Sequence, residues 1–186
     1  MVCGPLRYAI PSKKYGLAPE KVCETIKWNR VNLDCWGPKT VKNKNGFKYE
    51  IRLLTMIDPV TGWFEYAQLY NAPTAKEYHK LFDSTRLLRY PRPREVGFDN
   101  GSEFKGEFQA LCTNMGLIEK PSLAWNPQSN AILEKVHQVL QDCLLTIDFD
   151  NVDIDEDDND LFEPYLTNVA YAIRGAHHAT HGKSPC

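Results

Sequence analysis

Three carboxylates in this chain occupy positions from which acidic side chains can handle ions: Asp34, Asp99 and Glu134. Asp34 lies near the end of a short strand-like run, Arg30 to Cys35, which stops at Trp36-Gly37-Pro38. Asp99 follows a second short run, Glu95 to Phe98, and opens the turn Asp99-Asn100-Gly101. Open α/β sheets handle ligands at the carboxyl ends of their strands. Glu134 falls in a helical pattern, opposite its apolar stripe and beside Asn130, Gln138 and Gln141. Carboxylate oxygens are hard ligands suited to Mg²⁺ or Mn²⁺, and a pair of such ions can activate an attacking oxygen and stabilise a leaving one. Residue type alone does not single out this triple, because the chain holds 24 acidic residues. Asp at a strand end also forms turns, and a helical Glu is ordinarily solvated.

The other candidates are weaker. Asp58 belongs to Asp58-Pro59-Val60-Thr61-Gly62, where turn formation is the expected role. Asp153, Asp155 and Asp157 alternate as in a Ca²⁺ loop, but Asp158 stands where that loop needs Gly and Pro164 where it needs Glu. His177, His178 and His181 have no Cys or acid spaced to complete a metal site and read as a polar helix end. Trp28, Trp36 and Trp63 are expected to pack; Trp125, beside Asn126-Pro127-Gln128, is the tryptophan suited to touching DNA. Six scattered cysteines include no pair at the spacing of a metal knuckle, so reduced thiols are expected.

The elements that must position the carboxylates follow from periodicity. Residues 47–57 and 63–70 have strand composition and flank the Asp58–Gly62 turn, which predicts an antiparallel hairpin. Thr74-Ala75-Lys76-Glu77 forms a capping box for a helix that ends by Pro91. Phe104, Phe108, Leu111, Cys112 and Met115 mark a second helix capped by Gly116, followed by a strand over roughly 117–123. Leu133, Val136, Leu140, Cys143, Leu144 and Ile147 form the stripe of a helix from about 129 to 147. Phe162, Tyr165, Leu166, Val169 and Ile173 mark a last one. This order predicts an α/β domain with a mixed sheet, occupying 28–186 after an extended lead-in over 1–27. A segment from 148 to 160 carries eight acidic residues and no basic one, and reads as a solvated linker. It accounts for the net charge of −2, and the remainder of the chain is net basic. Without a signal-like N-terminus or a long apolar run, a soluble, intracellular protein is expected, with no membrane partner.

Three segments carry a resemblance. Val31-Asn32-Leu33-Asp34-Cys35-Trp36-Gly37-Pro38, Gly97-Phe98-Asp99-Asn100-Gly101-Ser102-Glu103-Phe104 and Trp125-Asn126-Pro127-Gln128-Ser129-Asn130-Ala131-Ile132-Leu133-Glu134 resemble, in order, the signature blocks of retroviral and retrotransposon integrases. Thr55-Met56-Ile57-Asp58 with Thr61-Gly62-Trp63 resembles that family's central hairpin, and the similarity is greatest to gypsy-type long-terminal-repeat elements, over roughly 15–185. The resemblance implies a ribonuclease-H-like fold, a mixed five-stranded sheet flanked by helices. It implies DNA integration by a metal-dependent polynucleotidyl transferase: water trims the element's DNA ends, and the freed 3′ hydroxyl attacks a target phosphodiester. On this analogy Asp34 would bridge two Mg²⁺ (or Mn²⁺) ions, with Asp99 and Glu134 each completing one site. Asn126, Gln128, Asn130, Lys135, His137 and Gln138 would contact DNA. A homodimer or higher multimer acting in the nucleus is also implied.

Departures from the family pattern are specific. Asp99 and Glu134 are 35 positions apart, one fewer than is commonest, and Ala131 stands where Gly is usual. Family members carry a zinc finger of two His and two Cys and a basic C-terminal domain; here no His precedes His79 and the chain stops at Cys186. A fragment or decayed copy is therefore one reading. A catalytically silent DNA- or chromatin-interaction module and a ribonuclease H-type nuclease are the alternative functions.

Overall fold

The computed structural model describes residues 25–42, 48–70, 73–99, 101, 104–121, 131–146 and 162–176. Strands β1 (Arg30–Lys42), β2 (Lys48–Ile57) and β3 (Phe64–Leu69) come first, then helix α1 (Ala75–Phe82) and a π-helical turn over Asp83–Leu87. Strand β4 (Glu95–Phe98), helix α2 (Glu107–Asn114), strand β5 (Ile118–Pro121) and helices α3 (Ala131–Leu145) and α4 (Glu163–Gly175) complete the order. One five-stranded sheet results, ordered β3-β2-β1-β4-β5. Pairings β1–β2 and β2–β3 are antiparallel, whereas β1–β4 and β4–β5 are parallel. This is the mixed sheet predicted above: tight connections give antiparallel neighbours, and the helical crossovers give parallel ones.

Side chains alternate across the sheet, and each face has its own core. On one face Val31, Leu33, Leu54, Met56, Val96 and Phe98 meet Tyr78 and Phe82 of α1 and Phe108, Leu111 and Cys112 of α2. On the other, Trp36, Ile51, Leu53, Ile57 and Phe64 meet Leu133, Val136, Leu140 and Leu144 of α3 and Leu166, Val169 and Ala170 of α4. The predicted α3 stripe is thus the buried one, with Cys143 at its margin and Ile147 outside the described residues.

Two local expectations change. The strand read as stopping at Trp36-Gly37-Pro38 continues to Lys42, and the break is a bulge at which the β2 register shifts between Trp36 and Lys39. Gly37 has φ +101, and an added Cβ would lie 2.4 Å from the Ile51 carbonyl oxygen, so this position of the bulge calls for glycine; its peptide bond to Pro38 is cis. The helix opened by the Thr74–Glu77 capping box also changes character after Phe82. Its wider last turn leaves Arg86 2% exposed, with the guanidinium 5.3 Å from the Trp28 ring centre and 5.2 Å from that of Tyr90, and Nη1 donating to the Pro91 carbonyl. Asp58 is structural, as expected. Buried, it accepts from the backbone N–H groups of Trp28, Val60 and Thr61 at 2.7, 2.8 and 3.3 Å.

Residues 1–24 of the lead-in, Trp125, the acidic segment 148–160 and His177, His178 and His181 lie outside the described residues. Among the described residues, no helix is long and apolar enough to cross a membrane, and Cys35, Cys112 and Cys143 are free thiols.

Candidate active site

Strand parity places Asp34. Val31 and Leu33 point into the α1/α2 core and Trp36 into the α3/α4 core, so Asp34 faces α3 and α4. Its partner across the antiparallel ladder is Thr55 of β2. On its other side, β1 and β4 run parallel with Arg30 opposite Glu95, Val31 opposite Val96 and Asn32 opposite Gly97. Continued two residues, past the end of β4, the same register would set Asp99 beside Asp34, with the parity of Gly97. Neighbouring strands lie roughly 5 Å apart, so this continuation would put both carboxylates on the sheet face that α3 covers. Gly97 assists this close pairing, since a Cβ there would lie 2.4 Å from Asn32 Oδ1.

Each carboxylate has a distinct local seat. Asp34 Oδ1 accepts from the Cys35 N–H at 2.8 Å. Asp99 Oδ1 accepts from the Gly101 N–H at 3.0 Å, the turn bond its sequence foretold. Glu134 is exposed in the first turn of α3 and makes no hydrogen bond or ion pair among the described residues. Along α3, His137 follows Glu134 by three residues and Gln141 by four more, which puts all three on neighbouring stretches of one helix side. Gln141 Oε1 accepts from Lys39 Nζ at 2.9 Å. His137 Nε2 lies 2.8 Å from Thr55 Oγ1, while its Nδ1 lies 3.8 Å from Asp34 Oδ2. Burial pushes the imidazole down to about 4, so near neutral pH it is uncharged and its contact with Asp34 is not an ion pair.

The remaining predicted contacts divide. Lys135 and Gln138 are exposed on α3, Gln138 donating to Asp142 at 2.8 Å, whereas His137 is only 16% exposed and turned toward the sheet. Asn126, Gln128 and Asn130 lie outside the described residues. Thr55, fully buried beside Asp34, is the site residue that sequence reasoning missed. Its hairpin was recognised, and only the register across β1 could have assigned it. Among the described residues, no three His, Cys, Asp or Glu side chains stand close enough to hold one metal ion. The donor chemistry still suits a hard divalent cation, since Asp34, Asp99 and Glu134 offer oxygen alone.

No protein-family model matches the chain. In sequence it is 29% identical to the Gag-Pol polyprotein of avian reticuloendotheliosis virus over 102 residues, 54% of this chain and 8% of the polyprotein. It is 26% identical to the Pol polyprotein of ovine maedi visna related virus over 126 residues, 67% of this chain and 11% of that one. With the Gag-Pol polyprotein of feline leukemia virus it shares 33% over 102 residues, 53% of this chain and 6% of the polyprotein. The chain therefore spans roughly a tenth or less of these relatives. In structure it matches the BIV integrase catalytic core domain with a TM-score of 0.60 at 18% identity, covering 85% of this chain and 91% of that one. The HTLV-2 integrase catalytic core domain, in complex with magnesium, matches with a TM-score of 0.63 at 16% identity, covering 87% and 97%. These likenesses give the fold as ribonuclease-H-like.

Proposed function

We propose that this chain, which carries the integrase catalytic-core fold and resembles segments of retroviral Pol polyproteins, is a DNA-integration core with Asp34, Asp99 and Glu134 as its metal-holding carboxylates. The observation that supports the proposal is the parallel β1–β4 register, in which Asn32 pairs with Gly97 and whose continuation by two residues would set Asp99 beside Asp34, on the sheet face against which the helix bearing Glu134 packs. The reaction is in-line exchange of one P–O bond for another: water cleaves near the element's 3′ end, and the freed 3′ oxygen then attacks a target phosphodiester. Divalent cations, Mg²⁺ or Mn²⁺ and two in number, supply charge to the attacking and leaving oxygens when bound. The chain's own part is positioning: Asp34 on strand β1, Asp99 in the turn that follows β4, and Glu134 in the first turn of α3. Lys135 and Gln138, exposed on the same helix, offer a cation and an amide to the DNA backbone. His137 is placed to act on the protein rather than on DNA. A homodimer or higher multimer in the nucleus is the setting this reading implies.

The test is metal-dependent disintegration, the reversal of strand joining, on a branched DNA substrate. Activity with Mg²⁺ or Mn²⁺ that disappears in Glu134→Gln is the expected result. Folded chain that binds DNA but is inactive with either metal would replace this reading with the silent interaction module. Preferential cleavage of an RNA–DNA hybrid would replace it with a ribonuclease H.

A further inference from the structure

Helix α3 meets the sheet through a polar line as well as an apolar one. Leu133, Val136, Leu140 and Leu144 already bury its apolar stripe, so attachment of the helix needs no polar contact. Nevertheless His137 reaches Thr55, which is fully buried, and Thr55 Oγ1 donates at 2.9 Å to the carbonyl oxygen of Asp34. A hydroxyl has one proton. With that proton committed to Asp34, Thr55 accepts from the imidazole, and His137 Nε2 is the donor.

We propose that His137 and Thr55 are positioning residues, whose chain of hydrogen bonds from imidazole to hydroxyl to the Asp34 carbonyl locks α3, and with it Glu134, in register with the strand that carries Asp34. This inference rests on the integrase reading and deepens it. Apolar stripes tolerate a small rotation or slide, because contact is non-directional. A buried hydrogen bond does not, because its energy falls steeply with angle and its loss leaves a polar group unsatisfied. Glu134 lies one turn before His137, so sub-ångström errors at the helix pass directly to the carboxylate. Carboxylates that share an ion must be held to roughly half an ångström. His137 thereby supplies orientation rather than a ligand, and Thr55 anchors the backbone atom next to the metal-holding side chain.

The experiment uses Thr55→Val and His137→Leu, which keep volume and remove the bonds, with Thr55→Ser and His137→Gln as conservative partners that retain a hydroxyl and an N–H donor. Mn²⁺ affinity of the whole chain is measured by calorimetry, and kcat and KM for disintegration are measured in parallel, with thermal unfolding as a control. Thr55→Val is expected to weaken Mn²⁺ binding and lower kcat, each about ten-fold, with KM for DNA nearly unchanged. Thr55→Ser and His137→Gln are expected to recover most of that loss. Wild-type affinity and kcat in a folded Thr55→Val chain would overturn the inference, as would a loss confined to KM in the His137 variants, which would mark a DNA contact. If His137→Leu does not fold, the Thr55 pair decides. Wild-type chain that takes up no Mn²⁺ and joins no DNA overturns the integrase reading together with this one, whereas active wild type with unaffected variants overturns this one alone.

Discussion

Cys112 and Tyr66 lie on opposite sides of the sheet and make the same demand on the solvent. Burial pushes the Cys112 thiol from 9.0 up to about 12. Burial first, opposed by the Thr167 hydroxyl and aided by the Glu163 charge, pushes the Tyr66 phenol from 10.0 up to about 12. Both groups keep their protons in the folded chain over a range where the unfolded chain releases them. The unfolded state then binds fewer protons, so stability falls as pH rises through 9 and 10 and levels off above about 12. Cys112 contributes at most about 1.4 kcal/mol per pH unit in that window, and the more exposed Tyr66 contributes less. Urea midpoints at pH 8 and pH 10.5 are expected to show the decline, flattened in a Cys112→Ala, Tyr66→Phe double variant. A decline of equal steepness in that variant would place its origin elsewhere. Single residues are also where sequence reasoning was least complete. A histidine on the polar side of a helix suggests solvent or DNA, yet His137 turns inward, its Nε2 2.8 Å from the hydroxyl of the buried Thr55 on another element. Arg86 likewise counts as a surface charge in the sequence, yet in the π-helical turn it is buried beside the stacked rings of Trp28 and Tyr90.

At the scale of elements the sequence was far more legible, since each element carries its own signal. The Thr74–Glu77 capping box is formed as read, with the Thr74 N–H donating to Glu77 at 2.6 Å. Strands β2 and β3, the apolar stripe of α3 and the Gly116 cap with its φ of +63 all fall where composition and periodicity put them. Strand β1 was one exception, beside the π-helical turn that follows α1. Gly-Pro signals a stop because proline donates no hydrogen bond, but a bulge absorbs that loss where the neighbouring strand has already set the direction. Gly37 therefore bears most of the bend. In Gly37→Ala the new Cβ meets the Ile51 carbonyl at 2.4 Å and the backbone sits in a region alanine rarely adopts. The expected loss is about 2 kcal/mol, within the range for strained backbone positions, read as a lower urea midpoint. A change below a few tenths would mean that β1 bends elsewhere.

The whole molecule is a sheet with two unequal faces, and the candidate chemistry belongs to one of them. Asp34, Thr55 and the parity of Asp99 all point toward α3 and α4, while the phenylalanine-rich core under α1 and α2 lies on the opposite face. A cleft of about 320 Å³ continues the same side past Gln141, lined by Trp36, Lys39 and Leu144. The resemblance of three short blocks announced which residues to watch, but the sharing of one face by strands far apart in sequence emerged only from the pairing. This asymmetry predicts that damage to the two cores separates stability from function. Leu140→Ala and Phe108→Ala each open a cavity at a fully buried position, and each is expected to cost about 3–4 kcal/mol. Both should lower a single unfolding transition, because one sheet supports both cores. In the cold, where both variants remain folded, α3 can shift into the Leu140 cavity and carry Glu134 with it, whereas the Phe108 cavity lies across the sheet. Disintegration rates at saturating Mn²⁺ are therefore expected to fall several-fold in Leu140→Ala and to stay near wild type in Phe108→Ala. Equal losses in both would mean that the sheet transmits strain between its faces, and that the site depends on the whole core rather than on the seat of α3.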